Sequence, residues 1–400
     1  MDGHVDVVVV GAGPAGTAAA ITAAERGLSV VCVDKAHFPR DKTCGDGLTA
    51  HALRLLEKLG VSAGELAATE PAFVRETVLV SPSGRRARLP IPTDGAHAAV
   101  VRRRMLDAAL VDVARRRGVD LREGRAIEAL KQDDEAVQLT LADGTVLDAS
   151  FVIAADGQWS TARRALEPGS ARDLGEWHAA RQYFDGVDDD RLWVIFDRDL
   201  LPGYAWVFPL PGGRANVGYG VLRSDGRSGR QLKDLWPDLL ARPLMREVLG
   251  PRARPCDTVR AWPIPTHYDP ARLAHGRVLF AGDAAGVVDP MTGEGIAQAI
   301  ETGMLAAEAI ATGADYRRLV HRALGRDLRF SHFLQKILRR PLGAQAAIGV
   351  ADLTPWTRRN FARWMWEDYP RALLATPDRW RHGAFTAPGA AFTTPHTRVR

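Results

Sequence analysis

The stretch Val5-Asp6-Val7-Val8-Val9-Val10-Gly11-Ala12-Gly13-Pro14-Ala15-Gly16 decides the fold. β-Branched valines suit a pleated, buried strand, and the run stops at Gly11. Ala15 to Arg26 then reads as a helix and Ser29 to Val33 as a second strand, giving a βαβ unit. The small residues in the turn have separate tasks. Gly11 permits the tight turn, Gly13 lets backbone approach a pyrophosphate, and Gly16 lets helix and strand pack closely. Ala15 lies in the first helical turn, whose free N–H groups and positive dipole end face the anion. Asp34, at the end of the second strand, can accept hydrogen bonds from an adenosine ribose. A glycine pattern alone is also what an ordinary tight turn shows. With the strand, helix and acid in place it predicts a dinucleotide site, without saying which dinucleotide.

Working outward, Arg102 to Arg117 has helical apolar spacing through Leu106, Leu110 and Val113, and Val119 to Leu121 follows as a strand. Val137 to Leu141 and Thr145 to Leu147 flank Ala142-Asp143-Gly144 as a hairpin, and Phe151 to Ala155 runs into Asp156-Gly157. From about Arg181 to Leu222 the texture changes to aromatic-rich alternation punctuated by Gly and Pro, which predicts a second, mainly antiparallel sheet. Val278 to Ala281 returns to the first texture and leads to Gly282-Asp283 and an Ala-rich helix after Gly295.

The expected architecture is therefore α/β: a discontinuous Rossmann-like domain (1–70, 96–165, 270–312) with an inserted antiparallel-sheet substrate domain (71–95, 166–269). A helical C-terminal region (313–400) follows, with a loose tail from Pro377.

The chain has 400 residues, 46% hydrophobic and 25% charged, which excludes a disordered chain and a small disulfide scaffold. Cys32, Cys44 and Cys256 form no close pair and no zinc spacing, so no metal site is expected and a reducing compartment fits. The uncharged run Val7 to Ala24 is interrupted by Gly11, Gly13, Pro14 and Gly16 and lacks a basic flank. It reads as neither a membrane span nor a secretory signal, and a cytoplasmic protein is expected. The formal net charge of +5 permits attraction to phosphates or anionic membranes, but nothing resembles a nucleic-acid module.

Two distant segments distinguish the dinucleotides. One is Ala155-Asp156-Gly157-Gln158-Trp159-Ser160 with Arg163. The other is Ala281-Gly282-Asp283-Ala284-Ala285-Gly286, followed by Asp289-Pro290 and Thr292-Gly293-Glu294-Gly295. With the first motif they resemble the FAD-dependent family that contains aromatic hydroxylases, halogenases and geranylgeranyl reductases. The resemblance implies that Asp283 holds the ribityl chain of FAD beside Gly282. It also implies that Asp156 and Gly157 lie near FAD and bear on the nicotinamide donor. Arg103, one of three consecutive arginines, matches the FAD-contacting arginine. Gly293, Gly295 and Ile296 would aim free backbone N–H groups and a positive helix end at a bound group, favouring the anionic reduced flavin. The plain alternative is that Asp283 caps a helix and the glycines form loops.

Two further segments narrow the branch. Phe38-Pro39-Arg40-Asp41-Lys42-Thr43-Cys44-Gly45-Asp46-Gly47-Leu48-Thr49 resembles the matching segment of geranylgeranyl and actinobacterial menaquinone reductases. Tyr204-Ala205-Trp206-Val207-Phe208-Pro209, an eight-residue spacer and Gly218-Tyr219-Gly220 resemble the Tyr-x-Trp-x-Phe-Pro and Gly-x-Gly pattern of prenyl reductases. The halogenase pattern Trp-x-Trp-x-Ile-Pro is absent, and Trp262-Pro263-Ile264-Pro265 does not supply it. Period-two spacing puts Tyr204, Trp206 and Phe208 on one strand face, as a substrate wall with Gly218 and Gly220 or as ordinary sheet core.

The resemblance implies reduction of isolated double bonds in a polyprenyl group by FAD, with NADPH, NADH or ferredoxin as reductant. An isolated alkene accepts hydride poorly, so a proton must arrive with it. Cys44 is the first candidate donor and Tyr204 the second, against a buried inert thiol. The competing functions are an FAD-dependent monooxygenase acting on an aromatic or polyketide substrate and a flavin-holding prenyl carrier without turnover.

Between Arg317 and Arg340, eight Lys or Arg side chains stand against a single acid, Asp327, interleaved with apolar residues. This segment reads either as a basic amphipathic helix on the inner face of the cell membrane or as a helix packed onto the protein.

Overall fold

Val5–Val10 runs through the middle of an eight-stranded sheet in the computed structural model, which describes residues 4–167, 175–227, 229–366 and 389–393. Val7, Val8 and Val9 are completely buried, so the strand carries no polar alternation, as expected for a parallel strand covered on both faces. It pairs in parallel with Val30–Val33 on one side and with Val146–Ala154 on the other. Beyond these lie Asp120–Arg122 and Val278–Phe280, also parallel.

The helix Pro14–Glu25 covers one face of this sheet and packs against Ile296–Thr312. Small residues allow the close approach. A Cβ on Gly16 would sit 1.6 Å from the Gly11 carbonyl oxygen, and one on Gly303 would sit 2.0 Å from that of Ala15.

The hairpin differs from expectation in one respect. Thr145 to Leu147 and Phe151 to Ala155 are not separate strands; Val146–Ala154 is one strand of nine residues. Its first half pairs antiparallel with Val137–Leu141 and its second half runs beside Val5–Val10. Asp148 and Ser150 break the apolar run in the sequence, yet Gln138 donates to Asp148 across the hairpin at 3.0 Å, so the polar residue fits a paired strand.

The second sheet contains Trp177–Asp185, Arg214–Leu222, Tyr204–Leu210 and Leu192–Ile195 as neighbours. Pairing is antiparallel except that Leu192–Ile195 runs parallel to Glu76–Val80, which carries Arg86–Pro90 at its edge. Arg260–Ile264 pairs with the far side of Trp177–Asp185. Register places Trp206 opposite Gly218 and Phe208 opposite Asn216. A small sheet of Gly47–Thr49, Ala98–Val100 and Ala72–Phe73 adds a third layer of pairing.

The C-terminal region is helical, but 317–340 is not a single helix. It consists of Tyr316–Val320, a π-helical turn His321–Gly325, and Arg326–Leu338, followed by Pro341–Ala351 and Pro355–Trp366. Val320, Leu324 and Leu328 are buried in the nucleotide-domain core, and the Tyr316 hydroxyl donates to the Phe280 carbonyl at 2.7 Å. The first half of the basic segment is therefore packed on the protein. The tail from Pro377 lies outside the described residues except for 389–393, where Ala391 bridges to Ala96. Among the described residues, no helix is long and apolar enough to cross a membrane.

Candidate active site

One cavity of about 730 Å³ runs from the first glycine turn, between the two sheets, to the C-terminal helices. At its first end Gly11 has φ +96°, and a Cβ there would lie 2.5 Å from the Ala155 carbonyl oxygen. Gly13 is different. A Cβ on it would meet only guanidinium ends, Arg40 Nη2 at 3.5 Å and Arg103 Nη2 at 3.9 Å. Gly13 also caps the helix Pro14–Glu25 without any side-chain hydrogen bond, so the first helical N–H groups face the same space. A bare backbone, a positive helix end and two cations form a cradle for a pyrophosphate.

Asp107, fully buried, holds both cations. Its carboxylate accepts from Arg103 at 2.8 and 2.9 Å and forms an ion pair with Arg40 Nη1 at 2.9 Å. Burial opposes the charge on Arg103, but Asp107 outweighs it and raises the arginine's pKa further. The three consecutive arginines thereby separate. Arg102 turns to Glu70, Arg104 is exposed, and only Arg103 faces the cavity. Asp34 lines the cavity and accepts from the backbone N–H groups of Ala12 at 2.7 Å and Ala36 at 2.8 Å. It ties the glycine turn to the second strand, and each oxygen keeps capacity for a ribose hydroxyl.

In the middle, Asp156, Gly157, Gly282, Asp283, Gly293, Gly295 and Ile296 all line the cavity. Asp156 accepts from the Thr161 and Ala162 N–H groups, and burial raises its pKa. Arg163 links this segment to the next by donating to the Ala284 carbonyl at 2.7 Å, with its guanidinium 3.8 Å from the Phe280 ring centroid. Gly295 starts the helix Ile296–Thr312 with no side-chain cap, leaving the helix end open to the cavity. The Tyr204 hydroxyl donates to the Thr292 carbonyl of the same loop. Lys42 stands 4.0 Å from the Asp283 carboxylate and 4.2 Å from the Trp262 ring.

Further along, Tyr204, Trp206 and Phe208 form a continuous wall, with ring centroids 6.0 and 5.9 Å apart, extended by Phe196 beside Tyr204. Cys44 lies on the facing loop. Burial raises its pKa, so it keeps its proton at neutral pH, and its sulfur accepts the Asp46 N–H at 3.3 Å. Beyond the wall the lining comes from the C-terminal helices, including Leu334, Leu338, Ile348, Phe361 and Trp364. No residue that 334–366 contributes to the lining is charged.

Gly16 and Gly218 do not line the cavity. Gly16 packs under Gly11, and a Cβ on Gly218 would lie 2.3 Å from Trp206 Cζ2 and 2.5 Å from the Ala180 oxygen. Gly218 therefore seats the Trp206 ring, whereas Gly220 borders the cavity itself. Among the described residues no cluster of His, Cys, Asp or Glu is arranged to hold a metal.

Several site residues escaped the sequence reading. Arg40 and Asp46 sit in the quoted segment 38–49, but sequence gives no sign that Arg40 meets Gly13. Asn216 hides in the spacer before Gly218. The C-terminal lining left only a Phe-x-x-Trp-x-Trp spacing at 361–366, which an ordinary buried helix also shows.

Residues 4–315 match the FAD binding domain family. The chain is 36% identical to menaquinone reductase of Mycobacterium tuberculosis over 329 residues, covering 78% of this chain and 77% of that one. It is 32% identical to digeranylgeranylglycerophospholipid reductase of Methanothrix thermoacetophila, covering 76% and 77%. Among solved structures, a geranylgeranyl bacteriochlorophyll reductase-like protein from Thermoplasma acidophilum superposes with a TM-score of 0.76 at 22% identity, covering 94% of this chain and 99% of that one. The cradle at Gly13, Arg40 and Arg103 suits a pyrophosphate-bearing cofactor, and the chain belongs to the FAD-binding oxidoreductase family that includes menaquinone reductase and digeranylgeranylglycerophospholipid reductase.

Proposed function

We propose that this protein saturates isolated carbon–carbon double bonds in a polyprenyl group, either a menaquinone side chain or a geranylgeranyl lipid or diphosphate. The observation that carries this reading is the shape of the cavity. A polar, cationic cradle opens without a break into an arm walled by Tyr204, Trp206 and Phe208 and closed by uncharged residues of 334–366. A prenyl chain offers only C–H surface, and such an arm can bind it without stranding a buried charge.

FAD would be held by Gly11, Gly13, Ala15, Asp34, Arg40 and Arg103 at its pyrophosphate and adenosine end. Asp156, Gly157, Gly282, Asp283, Gly293, Gly295 and Ile296 would hold it nearer the wall. Bound and reduced, it supplies a hydride to one alkene carbon. The chain supplies the rest. Trp206 and Phe208 align the alkene and exclude water, the open end of the helix at Gly295 stabilises negative charge, and the Cys44 thiol offers the proton. Tyr204 is the weaker donor candidate, because its hydroxyl is already committed to Thr292. The reductant is NADPH or NADH, with ferredoxin as the alternative.

The same reading places the protein in the cytoplasm with peripheral contact to the inner face of the membrane. The contact surface is best assigned to 333–356, where Leu342, Leu353 and Trp356 are 79, 70 and 72% exposed beside Lys336, Arg339 and Arg340. Ile337 is both exposed and part of the cavity lining, so the apolar arm reaches this surface.

Anaerobic mixing of the reduced protein with menaquinone tests the reading. The oxidised flavin band should return with substrate and without oxygen. Return that needs air and is accompanied by oxygen in the product identifies a monooxygenase, and a band whose return substrate does not affect, with or without air, identifies a carrier.

A further inference from the structure

Asp46 lies two residues after Cys44 and has no part in the steps above. Its side chain is completely buried, and its backbone sits at φ +65°, a conformation that Asp and Asn tolerate better than other L residues. Its carboxylate faces three donors. Oδ2 accepts from the Tyr183 hydroxyl at 2.6 Å and from Asn216 Nδ2 at 2.8 Å, and Oδ1 accepts from the Arg103 N–H at 3.2 Å. Its own N–H donates to Cys44 Sγ.

Asn216 extends the set. Also fully buried, it donates through Nδ2 to the Cys44 carbonyl at 2.8 Å and accepts Trp206 Nε1–H at 3.0 Å. One connected group of contacts thus joins the thiol loop, the aromatic wall and the first residue of the helix that carries Arg103.

We propose that Asp46, as a carboxylate, is a positioning residue that latches the Cys44 loop to Trp206 through Asn216. Oδ2 already accepts two donors, so a proton there would turn Tyr183 or Asn216 away, and a proton on Oδ1 would remove the negative charge that strengthens both of those hydrogen bonds. Tyr183 and Arg181 face Asp46 from Trp177–Asp185, Arg103 from its own helix, and Cys44 from the same loop. Lys42 acts on the neighbouring Cys44, and Asp41 on Tyr183. Arg181 is itself engaged by Asp41 at 2.7 Å and Asp257 at 2.6 Å, and the Arg103 guanidinium by Asp107. Burial pushes the Asp46 carboxyl up to about 6, against the opposing pull of Tyr183, Asn216 and Arg181. The carboxylate, and with it the latch, is present above that pH and lost as pH falls through it.

The inference rests on the prenyl-reductase reading only for its turnover measurement. The experiment uses the flavin-loaded full chain as wild type, Asn216→Ala and Asp46→Asn. It follows iodoacetamide alkylation of Cys44 by peptide mass at pH 8 and pH 5. Taking the ratio of variant to wild type cancels the change in thiolate fraction with pH. Asn216→Ala, which changes no charge, should alkylate about fivefold faster than wild type at pH 8, where the intact latch restrains the loop. The ratio should approach one at pH 5, where the wild-type latch has opened.

A merely structural role raises the ratio equally at both pH values, and that result, or no rise at either, overturns the proposal. If Asn216→Ala loses its flavin, Asn216→Ser, which likewise changes no charge, carries the comparison on the same criteria, because Asp46→Asn would itself alter the Cys44 thiolate fraction. In turnover, wild-type kcat/KM should fall below about pH 6 and this acid limb should vanish in Asp46→Asn; an acid limb that survives overturns the latch. A wild type without prenyl turnover defeats the functional reading, while the alkylation ratio still decides the latch.

Discussion

Replacing Gly218 by alanine adds one methyl group at the point where the second sheet supports Trp206. Gly218 pairs with Trp206 on one side and Arg181 on the other, so its strand is flanked by both neighbours. The new Cβ would lie 2.5 Å from the Ala180 carbonyl oxygen, about 0.8 Å inside an ordinary C···O contact. It would also lie 2.3 Å from Trp206 Cζ2, more than about 1 Å inside a carbon–carbon contact. The carbonyl belongs to a central strand, so the indole must yield, and it then strains its hydrogen bond to Asn216.

Overpacking costs about 1–3 kcal/mol and the weakened hydrogen bond about 1 more. For a chain of this size a loss near 3 kcal/mol lowers Tm by about 4 °C. Differential scanning fluorimetry measures this, and steady-state kinetics with menaquinone should show a raised KM with flavin content unchanged. An unchanged Tm together with an unchanged KM would refute the claim that Gly218 seats the wall, because a compatible Gly→Ala change should if anything stabilise by about 0.4–1 kcal/mol.

Cys44→Ala and Cys44→Ser should each retain FAD but lose about 10²-fold or more in alkene reduction, the scale of a lost proton donor. Full activity with an unchanged product distribution would remove Cys44 from the chemistry. Arg103→Ala leaves Asp107 buried with Arg40 alone and should cost about 3 kcal/mol along with most of the bound flavin, read from absorbance after gel filtration. Retained flavin would move the pyrophosphate away from Gly13. Leu342→Glu with Trp356→Glu should abolish flotation with anionic vesicles at low salt while leaving the flavin spectrum intact, and undiminished flotation would place the membrane contact elsewhere.

Much of the nucleotide half is legible because single residues there do single jobs. The valine run can only be a buried strand, and the spacing of Gly11, Gly13 and Gly16 states which backbone atoms must come close. The aromatic wall is legible for a similar reason, since period two fixes the face of Tyr204, Trp206 and Phe208. What escapes is partnership across the fold. Nothing local to Arg40 announces Gly13, and Asn216 is a polar residue in a spacer until three partners converge on it. Val146–Ala154 looks like two strands in the sequence because Asp148 finds its partner only across the hairpin. The basic stretch 317–340 was ambiguous because amphipathic spacing names an apolar face without saying what covers it; the nucleotide domain covers its first half, and Phe333 and Ile337 stay exposed.

The most direct measurement is mass analysis of products after anaerobic incubation of the reduced enzyme with menaquinone, geranylgeranyl diphosphate and a geranylgeranylated glycerolipid. A prenyl reductase yields at least one of these with two-hydrogen increments confined to the isoprenoid chain. Substrates recovered without added hydrogen, or products that gain oxygen once air is admitted, would contradict the account.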